Sequence, residues 1–331
     1  MPVLRAHLAD AALVAALAGL APPVRSAEAL LERDIDQLAR GCAVPQSAIV
    51  AARLQVARSV LSAPDRAGLG VFDTALDLYR QTSSFGALST GVAAIDELLG
   101  RGGFARGELT ELEGPTCSGK TQLALTAAAL VALQGGAVLW IDSGSCAFSA
   151  ARLHTILRAR RPEGASVDDT LSLVRCDYAY DATALLALLD GARLGAPRAA
   201  LIVVDSPFSV LAPNLGNCPH AHLLLARAAR ALSMLAAETG AAVVVTNHTV
   251  RAHDQAQTGG GARFGESWKG ALGQAWMHAA NTRLSLSAPS DSSPAKRRAA
   301  CTKHPLRRCD GVASFAITNG GTADVATERR R

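Results

Sequence analysis

The sequence is poor in aromatic residues, poor in lysine and without a cysteine framework, and each shortage closes off a class of protein. Aromatic side chains make up 4% of 331 residues, so the core must come from the Ala, Leu and Val that dominate a 49% hydrophobic chain. Seven cysteines stand at 42, 117, 146, 176, 218, 301 and 309, odd in number and scattered. They form no Cys-x-x-Cys pair, which excludes a disulfide scaffold of the secreted type and fits a reducing cytosolic or nuclear compartment. Cys301-x-x-His304 with Cys309 has the residue types of a zinc site but lacks a fourth ligand. No apolar run reaches the roughly 20 residues of a membrane span. The run Ala11 to Ala21 after Arg5 has the look of a signal-peptide core, yet Asp10 at its edge favours the first helix of a small domain. The lysines are Lys120, Lys269, Lys296 and Lys303, and a net charge of +5 permits a polyanionic partner without requiring one.

What the chain does contain is a complete phosphate-binding loop, Gly114-Pro115-Thr116-Cys117-Ser118-Gly119-Lys120-Thr121. Glycines let consecutive backbone N–H groups turn inward around phosphate oxygens. Lys120 brings a positive charge for the β- and γ-phosphates, and the Thr121 hydroxyl suits a Mg²⁺ position. A strand, Glu108 to Glu113, precedes the loop, and an Ala/Leu-rich helix, Thr121 to Leu133, follows it with its positive dipole end at the same anion. The order strand, loop, helix turns the motif into a prediction of ATP binding.

Leu201-Ile-Val-Val-Asp205 supplies the second half: four apolar residues ending in a carboxylate at a strand tip, placed to hold the Mg²⁺ water shell beside Thr121. Hydrolysis needs a further carboxylate to orient water, at the tip of the strand after the phosphate-loop helix. That tip reads Ile141-Asp142-Ser143-Gly144-Ser145, with Asp142 acidic but Gly144 at the position where Glu is needed. No catalytic residue is therefore assigned.

The arrangement predicts an α/β protein. Residues 1–62 form a small helical domain, with helices over Ala27 to Arg40 and Ser47 to Leu61. Residues 63–87 are a linker with a possible subunit-docking segment, 88–325 the ATP-binding core and 326–331 a basic tail, with disorder expected at Arg329-Arg-Arg331. Strands are expected at 108–113, 137–142, 172–175, 200–205 and 241–246. Three of these are continuous apolar runs, the mark of a mostly parallel sheet covered on both faces. After Arg283 short antiparallel hairpins are expected, with a basic turn at Lys296-Arg-Arg298.

These motifs resemble the RecA-like recombinases of the eukaryotic type. The likeness runs from Leu88-Ser-Thr-Gly91 and Ile95-Asp-Glu-Leu-Leu-Gly100 through Gly107-Glu-Leu-Thr-Glu111 and the phosphate loop. It continues in Val138–Asp142, Asp205, Val243-Val-Val-Thr-Asn-His248, Thr282-Arg283-Leu284 and Phe315-Ala-Ile-Thr-Asn-Gly-Gly321. Within that family Ser89, Gly144 and His248 look most like recombinase paralogues of the D class. The resemblance implies a RecA-type core and a nuclear role in homologous-recombination DNA repair, with weak hydrolysis at most. The partners it implies are other paralogues, the recombinase filament and single-stranded DNA, with no membrane. It also implies that His248 occupies the γ-phosphate-sensing position. Two alternatives stay open: an active DNA-dependent ATPase catalysing strand exchange, and a RecA-fold ATPase of a different oligomeric machine.

The loops after Val210 and Val250 would face DNA by the same resemblance, with Arg251, Arg263, Phe264 and Lys269 the candidate contacts. The opposite reading is a solvated glycine loop that orders against a partner. Phe72-Asp-Thr-Ala75 matches an F-x-x-A plug by which family subunits dock, with Phe72 and Ala75 as its anchors. Phe72 packing on its own domain is the other reading, and Tyr79 or Phe85 the other anchors.

Overall fold

The computed structural model describes residues 8, 10–61, 74–143, 148–194, 198–212, 219–251, 268–270, 272, 276–287 and 296–325. They divide into two compact units, Met1–Gln81 and Thr82–Arg331.

The first unit holds α1 (Ala11–Ala18), α2 (Ala27–Glu32), α3 (Ile35–Gly41) and α4 (Gln46–Leu61). Leu17, Val24, Leu30, Leu38, Ile49 and Val56 close its core, each essentially without solvent contact. Helix starts follow the local capping chemistry: Asp10 accepts from Leu13 N at 3.0 Å, and Ser26 from Ala29 N at 3.2 Å. The single helix expected over 27–40 is in fact two. Arg33 and Asp34 are extended, and the Asp34 carboxylate accepts from Gln37 N at 3.0 Å, starting a new helix where periodicity alone suggested continuity. Helix α5 (Ala75–Phe85) occupies the second half of the stretch read as linker and crosses the divide between the units.

The second unit continues through β1 (Ala87–Leu88), α6 (Ala93–Leu99), β2 (Phe104–Ala105), β3 (Leu109–Gly114), α7 (Lys120–Leu133) and β4 (Val138–Asp142). It proceeds through α8 (Ala150–Arg160), α9 (Val167–Ser172), β5 (Val174–Tyr178), α10 (Ala182–Leu194) and β6 (Leu201–Asp205). After these come α11 (Pro207–Leu211), α12 (Pro219–Thr239), β7 (Ala242–Arg251) and β8 (Trp268–Gly270). The last strands are β9 (Thr282–Leu286), β10 (Lys296–Lys303), β11 (Val312–Thr318) and β12 (Gly321–Asp324).

The main sheet runs β12-β11-β10-β9-β3-β7-β6-β4-β5, with β8 paired to β7. From β9 across to β5 every neighbour is parallel; β9 to β12 pair antiparallel. The buried strands alternate between two cores: Leu201, Val203, Ala242 and Val244 face one, Ile202, Val204, Val243 and Val245 the other. Helix α7 is buried along almost its whole length. Its alanines let a helix lie close to the sheet without a bulky side chain between them.

Three strands differ from expectation. Lys296 to Arg298, read as a basic turn, instead open β10, because they pair antiparallel with Ala316, Phe315 and Ser314 of β11. Ser172 ends α9 instead of opening a strand, because the Ser166 side chain accepts from Asp169 N and caps a helix there. The strand begins at Val174, where pairing with Val138 becomes available. Strand β7 runs past Thr246 to Arg251, because β8 pairs with Thr249, Val250 and Arg251.

Candidate nucleotide site

The phosphate loop leaves the middle of the sheet. Gly114 ends β3, in register with His248 of β7, and Gly119 caps α7. Gly114 adopts φ +154°, and a Cβ there would lie 2.4 Å from Leu286 O and 2.8 Å from Ser118 Oγ. At Gly119 (φ +99°) a Cβ would crowd Phe315 and Ile317 of β11. The sequence needed glycine at these points for backbone reasons, and the C-terminal strands are the surface the loop rests on. Cys117, at the loop apex, takes φ +64° without being glycine.

Lys120 is 7% exposed and donates to Gly114 O at 2.8 Å and Pro115 O at 2.9 Å, so its ammonium hangs within the loop. Burial lowers its pKa, while the Asp205 charge opposes the shift. Thr121 Oγ1 donates to Asp205 Oδ2 at 2.7 Å, and Thr246 Oγ1 donates to Asp205 Oδ1. Asp205 is buried, which raises its pKa against the pull of those two hydroxyls. Asp142 sits beside it in register, fully buried. Its Oδ2 accepts from Phe148 N at 3.0 Å, and its Oδ1 has no hydrogen-bond partner among the described residues.

His248 is half-buried, edge-on to Phe208 with ring centroids 5.7 Å apart. Burial first, then Lys120, lowers its pKa against the pull of Asp205, which favours the neutral imidazole. The phosphate loop, Lys120, Thr121, Asp205 and His248 thus share one end of the sheet, at the carboxyl ends of parallel strands, where α/β proteins bind ligands. A turn of backbone N–H groups, an ammonium, a hydroxyl and a carboxylate fit a nucleoside triphosphate with Mg²⁺.

The Rad51 family profile matches residues 81–325. The chain belongs to the Rad51 family. The "DNA repair protein RAD51 homolog 4" of Bos taurus is 34% identical over 82% of this chain and 81% of its own length. The "DNA repair protein RAD51" of Saccharomyces cerevisiae is 36% identical over 64% of this chain and 54% of that protein. The crystal structure of the RadB recombinase superposes with a TM-score of 0.59 and 29% identity, across 72% of this chain and 99% of that one.

Other residues named from sequence are less collected. Gly144, Arg263, Phe264 and Phe72 lie outside the described residues. Arg251 and Lys269 stand at one end of the β7–β8 pair, where Arg251 faces Trp268 and Lys269 faces Val250 in backbone register. Ala75 opens α5. Phe85 lies against Gly107 and Gly240 of its own core, and Tyr79 is 68% exposed.

Two features escaped sequence reading. Arg297 Nε of β10 donates to Cys117 O at 3.0 Å, tying the start of that strand to the loop apex. Beneath the loop, Glu111 is 1% exposed and accepts from Asn247 Nδ2 (2.8 Å), Trp276 Nε1 (3.1 Å) and Arg283 Nε (2.7 Å). Glu113, two residues on, shares Arg283 at 3.6 Å and is pushed up to about 7, chiefly by burial. The only sequence signal of that network was the recurrence of Glu at alternate strand positions.

Proposed function

We propose that the chain is an ATP-binding recombinase paralogue of homologous-recombination DNA repair. In this reading it assembles in the nucleus with other paralogues and stabilises recombinase filaments on single-stranded DNA, with weak intrinsic hydrolysis. The names of its relatives and the family match support the repair role. The observation that carries the rest is the contrast at the site. The Lys120, Thr121 and Asp205 constellation is complete, whereas Gly144 stands where a water-orienting Glu would be needed.

In this reading Lys120 exchanges its two carbonyl partners for phosphate oxygens. Thr121 and Asp205 would hold a magnesium ion, which would supply charge neutralisation to the bound phosphates. His248, beside Lys120, reports the terminal phosphate to β7, the strand that ends at Arg251. Nucleotide binding then acts mainly by stabilising an assembled state, through mass action. Arg251, Arg263, Phe264 and Lys269 contribute phosphate contacts and one stacking ring to the DNA path, and Phe72 with Ala75 docks a neighbouring subunit.

One observation favours an active ATPase as the second reading. Asp142, whose Oδ1 has no hydrogen-bond partner among the described residues, lies beside Asp205 and is a carboxylate near the place where water would be oriented. ATP turnover with single-stranded DNA, alone and with co-purified paralogues, separates the two, with Gly144→Glu measured in parallel. Retained nucleotide binding with negligible turnover, raised by Gly144→Glu, supports the assembly role. Rapid DNA-stimulated turnover that needs both Lys120 and Asp142 would overturn it in favour of the ATPase.

A further inference from the structure

Strand β10 carries a β-bulge between Cys301 and Lys303 where it pairs with β9, and the chain beyond it, residues 304–311, is irregular before β11 begins. Across that turn the Cys301 and Cys309 sulfurs stand 3.8 Å apart. Cys301 is buried and Cys309 is exposed. His304, the third residue of the sequence pattern, does not turn to the sulfurs. Its Nδ1 accepts from Leu306 N at 3.0 Å, which leaves the proton on Nε2, and Nε2 donates to Leu99 O at 3.1 Å. Two sulfurs without a third ligand make a dithiol pair rather than a metal cage, and no group of three metal-binding side chains occurs among the described residues.

We infer that Cys301 and Cys309 form a reversible dithiol–disulfide site, oxidised by a hydroperoxide and restored by a thiol. The chemistry balances in two steps. The Cys309 thiolate attacks the peroxide, giving a sulfenic acid and the alcohol or water. The Cys301 thiol then attacks the Cys309 sulfur, forming the S–S bond and expelling water. The two thiols together give up two electrons, which reduce one peroxide. Exposure makes Cys309 the attacking sulfur, and its buried neighbour can only resolve.

Burial and the adjacent Cys309 sulfur push the Cys301 thiol up to about 12. Sulfurs 3.8 Å apart must close to a bond of about 2.0 Å. The irregular stretch between them supplies the slack. The cross-link encloses a short loop next to solvent, so it stays within reach of reductant. Such a bond suits a transient state in a reducing compartment rather than a structural staple.

The site bears on the rest of the molecule through its hairpin. Its tip is fastened to α6, where Arg307 donates to Glu97 O at 2.7 Å. Strand β10 carries Arg297 to the phosphate-loop apex, and β11 carries Phe315 and Ile317 beneath Gly119. Closing the bond therefore stiffens the surface on which the loop rests.

The test treats the full chain with hydrogen peroxide, alkylates without reduction and maps thiols by mass spectrometry. We expect Cys301 and Cys309 to be protected together in one intramolecular cross-link that dithiothreitol reverses, while Cys42 and Cys176 remain alkylatable. In Cys301→Ser, Cys309 should accumulate as a dimedone-reactive sulfenic acid; in Cys309→Ser, Cys301 should stay alkylatable. Independent alkylation of both sulfurs after peroxide, or identical oxidation of Cys309 with and without Cys301, overturns the inference. Nucleotide affinity measured in both redox states keeps the two proposals apart. Loss of binding in both states counts against the nucleotide reading and leaves the cross-link standing.

Discussion

Arg297 and Cys117 lie 180 residues apart, and the arginine Nε donates to the cysteine carbonyl at 3.0 Å. That bond holds the apex of the phosphate loop at the one place where a non-glycine residue takes a left-handed backbone conformation within it. It makes Arg297 a positioning residue that acts through the loop. Arg297→Ala is predicted to weaken ATP affinity about fivefold, the value of one exposed charge-assisted hydrogen bond of about 1 kcal/mol. Titration with a fluorescent nucleotide checks this, and Arg297→Lys should restore part of the loss. Equal affinity in all three proteins would remove Arg297 from the site.

Lys120 is the cation of the loop, held on Gly114 O and Pro115 O. Lys120→Arg should weaken nucleotide binding by about tenfold or more, because a broad planar guanidinium cannot replace a compact ammonium inside the loop. Repair complementation in cells should fail with it. Unimpaired repair would sink any nucleotide-dependent role.

Glu113 gives stability a pH dependence whose sign is fixed. Its folded pKa of about 7 exceeds the ordinary glutamate value of 4.5, so between those pH values the folded state holds more protons than the unfolded one. Stability supplied by the protonated carboxyl is complete below about pH 4.5 and is lost as pH rises through about 7, a loss of up to about 3 kcal/mol at roughly 1.4 kcal/mol per pH unit across that window. Glu113→Gln, which keeps the shape of the protonated group, should flatten that part of the profile and be the more stable protein at pH 8. Urea midpoints at pH 5, 6.5 and 8 measure it, and parallel profiles for both proteins would refute the assignment.

Trp276 is 1% exposed and gives Glu111 one of its three hydrogen bonds. Trp276→Phe keeps the ring packing but leaves the buried carboxylate one donor short, which should cost about 1–2 kcal/mol. The denaturant midpoint should fall with an unchanged slope. A double-mutant cycle with Glu111→Gln isolates the pair, and zero coupling would place the cost in packing alone.

The sequence by itself determined the phosphate loop, the carboxylate-tipped strand and the two-sided apolar sheet. Each is a local statement. The glycines answer a backbone need within one turn, Asp205 ends a run of consecutive apolar residues, and Leu201 to Val204 are apolar because both faces are covered. Helix breaks such as Asp34 were present locally too, but a capping side chain competed with a longer periodicity and won. Only the tertiary structure decided what meets across the sheet. Strand β9 pairs parallel with β3 and antiparallel with β10, which brings Arg283 to Glu111 and Glu113, Arg297 to Cys117 and Phe315 beneath Gly119. The two cysteines of the β10–β11 turn show the same limit at short range. Their spacing of eight residues carries no pairing signal, and it took a bulge and an irregular return to set their sulfurs side by side. Such contacts depend on strand order and register, which composition, periodicity and short motifs do not encode.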